Sequence, residues 1–266
     1  MAIKNEQFLK ELLPYSKMTV VPGVTVGDLN FASAQSVWST GFIAPSSTDN
    51  FAANSEVQLF QAAIGDNGQG LASGQVMTRS QTNWQDTAGR LPANEVFIGI
   101  RCLTSVFKHT NGAVGAGGAL LTSNPVTSTI QDVAVLYQIV KSFSWEYQTG
   151  DGIIRNVGPL ASYPQAGGAW EAPAVPFAPL TAADPGVAAD AIAVQNGYPC
   201  PVVAKELPIP FMFLPNITTR VVVKTGSPIT LVPATSNYFV LGTAQVAGQF
   251  LAVRMTFQGY KLTMPV

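Results

Sequence analysis

Charge is what this sequence has least of. Asp, Glu, Lys and Arg make up 11% of its 266 residues, where an ordinary globular domain carries about 25%. The 14 basic residues stand singly from Lys4 to Lys261. No basic patch is there to neutralise a phosphate backbone, so direct, sequence-specific nucleic-acid binding is not expected. Histidine is nearly absent as well. A single His109 cannot build a multi-histidine metal centre, and no G-x-S-x-G elbow offers a serine for it to serve. Its place in FKHTNG, at the end of a strand pattern, predicts a loop or surface position. Cys102 and Cys200 sit in unrelated contexts and read as thiols buried in strands or at strand ends. No apolar run reaches the ~18 residues of a membrane span. MAIKNEQFLKELLPYSK lacks the apolar core and small-residue cleavage site of a secretory signal, which predicts a protein made and kept in a cytoplasm.

Motifs with chemistry are equally scarce. The glycine-rich GAVGAGG, Gly112–Gly118, lacks the lysine and the following serine or threonine of a P-loop. Read structurally, residues 108–131 form a long hairpin excursion between two strands. Asp66-Asn67-Gly68 has calcium acceptors without a full ligand loop. The carboxylate pairs Asp184/Asp190 and Glu146/Asp151 have no acid–base setting. Asn216-Ile217-Thr218 is a glycosylation acceptor only on a secretory route. No catalytic residue, metal ligand or cofactor is expected, and an enzyme is not.

Neutral polar residues fill the gap. Ser, Thr, Asn and Gln number 68 against 29 charged residues, and the net charge is −1. Copies with such an exterior repel one another weakly at neutral pH, which favours self-association.

Along the chain, residues 1–17 form an amphipathic helix and arm. Asn5 can cap it, Phe8, Leu9, Leu12 and Leu13 make one apolar face, and Pro14 stops it. A helix that short must dock, either on its own domain or on a neighbouring copy or a membrane surface. These four apolar residues are the candidate assembly or membrane-proximal contacts. Period-two patterns then predict strands at Met18–Val26, Phe31–Ile43, Val57–Ala63, Gly70–Thr78, Glu95–Phe107, Val133–Gln148 and Gly152–Val157. Within Glu95–Phe107, alternation puts Val96, Ile98, Ile100, Cys102 and Thr104 on one face. Residues 158–199 are proline-rich and read as an ordered surface excursion, with a short helix around Pro185–Val194. Strands return at Val202–Lys205, Ile209–Leu214, Thr218–Lys224, Ile229–Val232, Tyr238–Gly242 and Phe250–Met264. Many strands with turn signals and no alternating long helices indicate an all-β sandwich.

The amphipathic Asn5–Leu13 helix, the β-rich chain, the long excursions and the segments PIPFMFLPNITTRVVVKTG (208–226) and FLAVRMTFQGYKL (250–262) together resemble the jelly-roll major capsid proteins of tailless icosahedral viruses. The resemblance is architectural and brings no diagnostic motif. It implies two tandem jelly rolls, 18–145 and 146–266, the second including the excursion 158–199, or else one elaborated jelly roll. It further implies a virion protein assembled in the host cytoplasm as homotrimers with other virion proteins, with an internal membrane beneath the shell in the double jelly-roll branch. The rival reading is a phage fibre, spike or carbohydrate-binding β-sandwich, with Trp38, Trp84, Trp145 and Trp170 as candidate reading residues.

Overall fold

The computed structural model describes residues 10–68, 70, 71, 75–85, 89–111, 124, 125, 138–150, 154–160, 205–231, 238, 239, 241 and 248–265. The chain is mostly β in these regions, with few helical residues. Its strands start with a small hairpin, β1 (Thr19–Val21) and β2 (Val24–Thr25), turned by Gly23 at a φ of 85°. A 3-10 turn follows, Val26–Asp28, whose first amide and hydroxyl at Thr25 both donate to the Asp28 carboxylate at 2.8 and 2.7 Å.

The remaining strands are β3 (Asn30–Ile43), β4 (Asn50–Phe51), β5 (Glu56–Leu59), β6 (Glu95–Asn111), β7 (Asn124–Pro125), β8 (Ser144–Thr149), β9 (Ile154–Pro159), β10 (Lys205–Phe213), β11 (Thr219–Lys224), β12 (Ile229–Thr230) and β13 (Gly248–Thr263). One antiparallel sheet has the order β10-β6-β13-β3, with β7 on the end of β6, and a second has the order β5-β11-β8-β9. Counting the eight principal strands of these two sheets along the chain, the orders are 6-3-8-1 and 2-7-4-5.

The sheets face each other across one core. Val57, Leu59, Trp145, Tyr147, Val221 and Val223 come from the second sheet, and Phe97, Phe211, Phe213, Val253, Met255 and Phe257 from the first. The residues of each strand recur at spacing two, as one covered face of a pleated strand requires. Gly41 lets the sheets approach: a Cβ there would stand 2.3 Å from a Val57 methyl. At the centre, Phe60, Phe213, Phe257 and Trp84 pack as a cluster, with Phe60 5.6 Å from Trp84 and 5.2 Å from Phe213.

The expected division at 145/146 is not what the described strands form. Each sheet interleaves strands from both halves, β13 lies between β3 and β6, and the boundary would cut through β8. Neither half closes a sheet or a core by itself, so the described strands make one sandwich.

A bulge also changes the faces of β6. Gln258 pairs with Arg101 but Gly259 pairs with Gly99, so Ile100 is the extra residue. Val96, Ile98 and Ile100 therefore lie on the outer face, while Cys102 and Val106 turn into the core between the sheets. The expected sharing of one face by Val96, Ile98, Ile100, Cys102 and Thr104 fails at this point, because one inserted residue inverts the alternation beyond it.

Both ends of that outer face are covered. Leu12, Val20, Val26 and Leu29 pack on Val96, Ile98, Tyr260 and Leu262 at one end. Leu71 and Met77, from the connection between β5 and β6, pack on Phe42, Phe107 and Ala252 at the other. The expected strand Gly70–Thr78 is instead part of this cover, with no strand at its described residues. The loop is tied off by Met77 N–H donating to the Asp66 carbonyl at 2.7 Å and Gly65 N–H to that of Met77 at 2.9 Å.

Val133–Gln148 is likewise not one strand. Residues 138–142 are helical, and β8 begins only at Ser144. Ile139, Val140 and Phe143 are carried by that turn into the core, so burial there follows helical spacing. Tyr238, Phe239 and Leu241 are not in a strand. Residues 112–118, 133–137, 161–199 and 201–204, with the expected Pro185–Val194 helix, lie outside the described residues.

Candidate functional surfaces

The N-terminal segment separates two residues that the sequence places on one face. Leu12 is buried beneath the hairpin and the outer face of β6, whereas Leu13 is 69% exposed. Phe8 and Leu9 lie outside the described residues. Pro14 does not end the helical path. It sits in the first turn of a 3-10 helix, Leu13–Tyr15, where a missing N–H removes no hydrogen bond.

Glu11 holds this segment to the sheet. Its carboxylate accepts the Tyr260 hydroxyl at 2.5 Å and the Arg101 guanidinium at 3.2 Å, and Arg101 also reaches Glu206 at 3.6 Å. Burial, followed by the hydrogen bond to Glu11 and its negative charge, holds the Tyr260 phenol well above its ordinary value, against a smaller opposing effect of Arg101. The phenol is therefore a permanent donor to the arm.

His109 is not on the surface. β6 continues to Asn111, and His109 is 2% exposed, its ring 4.7 Å from that of Phe42. Burial drops its pKa to about 4; the Thr110 backbone opposes this and the Arg254 charge reinforces it. Arg254 stands on the same outer face. It donates from Nε to Thr40 Oγ1 at 2.9 Å and from Nη2 to the Ser80 carbonyl at 2.6 Å, and lies 5.5 Å from the Phe107 ring centre. These contacts pin the β5–β6 connection over the sheet.

The other sequence candidates are spread through the molecule. Cys102 is fully buried, while Cys200 lies outside the described residues. Asp66 is used locally, accepting the Ala63 N–H at 3.1 Å, and Asn67 donates to the Gln75 carbonyl at 2.7 Å. Glu146 pairs with Lys224 at 2.8 Å on the outer face of the second sheet. Asp151, Asp184 and Asp190 are outside the described residues. Among the described residues no three His, Cys, Asp or Glu side chains are grouped to hold a metal, and no helix is long and apolar enough to cross a membrane. Trp84 and Trp145 are core residues, Trp38 is half-buried, and Trp170 is outside the described residues, so these tryptophans form no common reading surface among the described ones.

One surface has no counterpart among the sequence candidates. The first seven residues of β3, Asn30–Ser36, are mostly exposed on both faces and form an edge of their sheet. Further along, the edge is capped: Asn83 accepts the Trp38 N–H at Oδ1 and donates from Nδ2 to the Ser36 carbonyl, both at 2.7 Å. The signal available in the sequence was that NFASAQSVWSTGFI contains neither a charge nor a proline.

Comparison with protein-family models, curated proteins and solved structures gives no match.

Proposed function

We propose that this chain is a structural subunit of a virus shell, built on a single jelly roll and working by packing against copies of itself. The strand order carries this reading. Sheets ordered 1-8-3-6 and 2-7-4-5 are wound as two Greek keys, the double-sheet jelly roll that capsid subunits share with lectins and cupins. The order supports the single jelly roll over the tandem pair.

The surface chemistry supports assembly. A protein with 29 charges in 266 residues and a net charge of −1 offers little electrostatic repulsion between copies. Rigid sheets fix the geometry of such contacts, and many weak neutral contacts sum across a closed lattice. In this reading the partners are other copies, gathered as trimers, and other virion proteins, with the arm carrying Leu13 facing a neighbour or a membrane beneath the shell.

The test is to express the full chain with and without the remaining virion proteins and to examine the products by electron microscopy and light scattering. Shells or defined oligomers are expected. A chain that stays monomeric at high concentration and in virion extracts sinks the proposal. Glycan-array binding by that monomer would favour a carbohydrate-binding module.

A further inference from the structure

We infer that the Asn30–Ser36 edge of β3 is a pairing site for the same edge of a second copy, joining two sandwiches through one continuous sheet. The inference rests on the self-assembly proposed above and names the surface that performs it.

Among the described residues, the strands β10, β5 and β9 that end the two main sheets carry features that discourage pairing. β10 contains Pro208 and Pro210 and a register break between Glu206 and Phe211. β5 is four residues long and opens on Glu56. β9 contains Gly158 at a φ of 120° followed by Pro159, and breaks register against β8. β3 is the exception. Its exposed half has no charge and no proline, and its single irregularity, at Ala32 between Ser33 and Phe31, leaves Ser33–Ser36 regular.

The backbone directions are fixed by Asn83. Because it bonds the Trp38 N–H and the Ser36 carbonyl from outside the sheet, the outward groups are those of even-numbered residues, including Ala34. Among the described residues nothing hydrogen-bonds the outward Ala34 N–H and C=O or the Ser36 N–H.

A second copy is the occupant that this surface fits. Ala32, Ser33, Ala34 and Gln35 offer no charge for a charged partner to read. Recognition then falls to the backbone, which is self-complementary about a two-fold axis: Ala34 N–H to the C=O of the same residue in the other copy, and the reverse.

The experiment uses the full chain and two variants. Ala34→Pro deletes the outward N–H without touching the β3–β13 ladder, a position where an edge strand tolerates proline. Ala34→Lys keeps the backbone and sets two like charges against each other across the axis. Sedimentation velocity is expected to show self-association of the wild type weakened at least about tenfold in both variants, with circular dichroism unchanged. Hydrogen exchange is expected to show the Ala34 and Ser36 amides protected in the wild type only at associating concentrations.

The alternatives are distinguishable. Assembly with those amides unprotected, or with Ala34→Lys associating like wild type, overturns the edge pairing and leaves the shell reading standing. Protection independent of concentration means that another part of the same chain covers the edge, which also overturns the pairing. A chain monomeric under every condition overturns both.

Discussion

Gly99 and Gly259 oppose each other across the β6–β13 ladder, and a methyl group on Gly259 would stand 1.9 Å from the carbonyl oxygen of Ile98. The pair sits where Ile100 is squeezed out of register. With backbone and not a flexible side chain in the way, Gly259→Ala must displace one of the two longest strands. It is expected to destabilise the protein by roughly 2 kcal/mol or more, read as a lower midpoint in urea unfolding. Gly226→Ala, where a Cβ would meet nothing within 4 Å, is the control and should leave the midpoint nearly unchanged.

The burial of His109 sets a pH dependence. Its folded pKa, about 4, lies below the ordinary 6.5, so the unfolded chain binds the proton more readily between those values. Its contribution to stability is complete above about pH 6.5 and is lost as pH falls, at up to about 1.4 kcal/mol per pH unit, levelling off below about pH 4. Urea titrations at pH 7.0, 6.0 and 5.0 should show this decline in the wild type and a shallower one in His109→Gln. Equal slopes would assign the decline to other groups.

Tyr260→Phe removes the donor that faces Glu11 and leaves the Arg101 pair in place. The N-terminal segment should loosen while the sandwich persists. Trypsin cleavage after the exposed Lys17 is expected to be several-fold faster in the variant, with the thermal midpoint of the body lowered by only a few degrees. An unchanged cleavage rate would mean that the burial of Leu12 alone holds the segment.

Asn83→Ala strips both hydrogen bonds that cap β3 at Ser36 and Trp38. A loss of about 1–3 kcal/mol is expected, together with faster hydrogen exchange at the Trp38 amide. Asn83→Asp, which keeps the acceptor for that amide but loses the donor to Ser36, should fall between the two. A Trp38 amide still protected in Asn83→Ala would show that the side chain is not what closes this part of the edge.

The long strands were legible because they are unbroken runs rich in β-branched, aromatic and small residues without proline. Phe31–Ile43 and Phe250–Met264 were each placed to within two residues of β3 and β13. What alternation cannot report is an insertion, so the bulge at Ile100 reversed the predicted face of Cys102 and Thr104 although Gly99 marked the spot. It also cannot separate a buried helical turn from a buried strand, which is why Ile139, Val140 and Phe143 were read as part of one long strand. His109 was misplaced for a related reason: the polar KHTN looks like a strand end, yet β6 continues beneath the cover formed by Leu71 and Met77. Of the candidate surface, spacing alone put Leu12 and Leu13 on one face, which the structure separates, and the anchoring through Glu11, Arg101 and Tyr260 joins residues too distant in sequence for any local signal. The β3 edge was written in what its sequence omits, and only the sheet order revealed it as an edge.

The neighbouring positions of β3 and β13 have a consequence in time. Phe42 pairs with Ala252, which follows it by 210 positions. On a ribosome, that separation takes roughly 10–40 s to synthesise. Until β13 emerges, β3 lacks the strand that pairs with it along its length, and the sheet holding β6 and β10 cannot close around it. The first-made long strand of this sheet thus waits for the last-made one, and the rate of synthesis sets how long that edge of β3 stays unpaired.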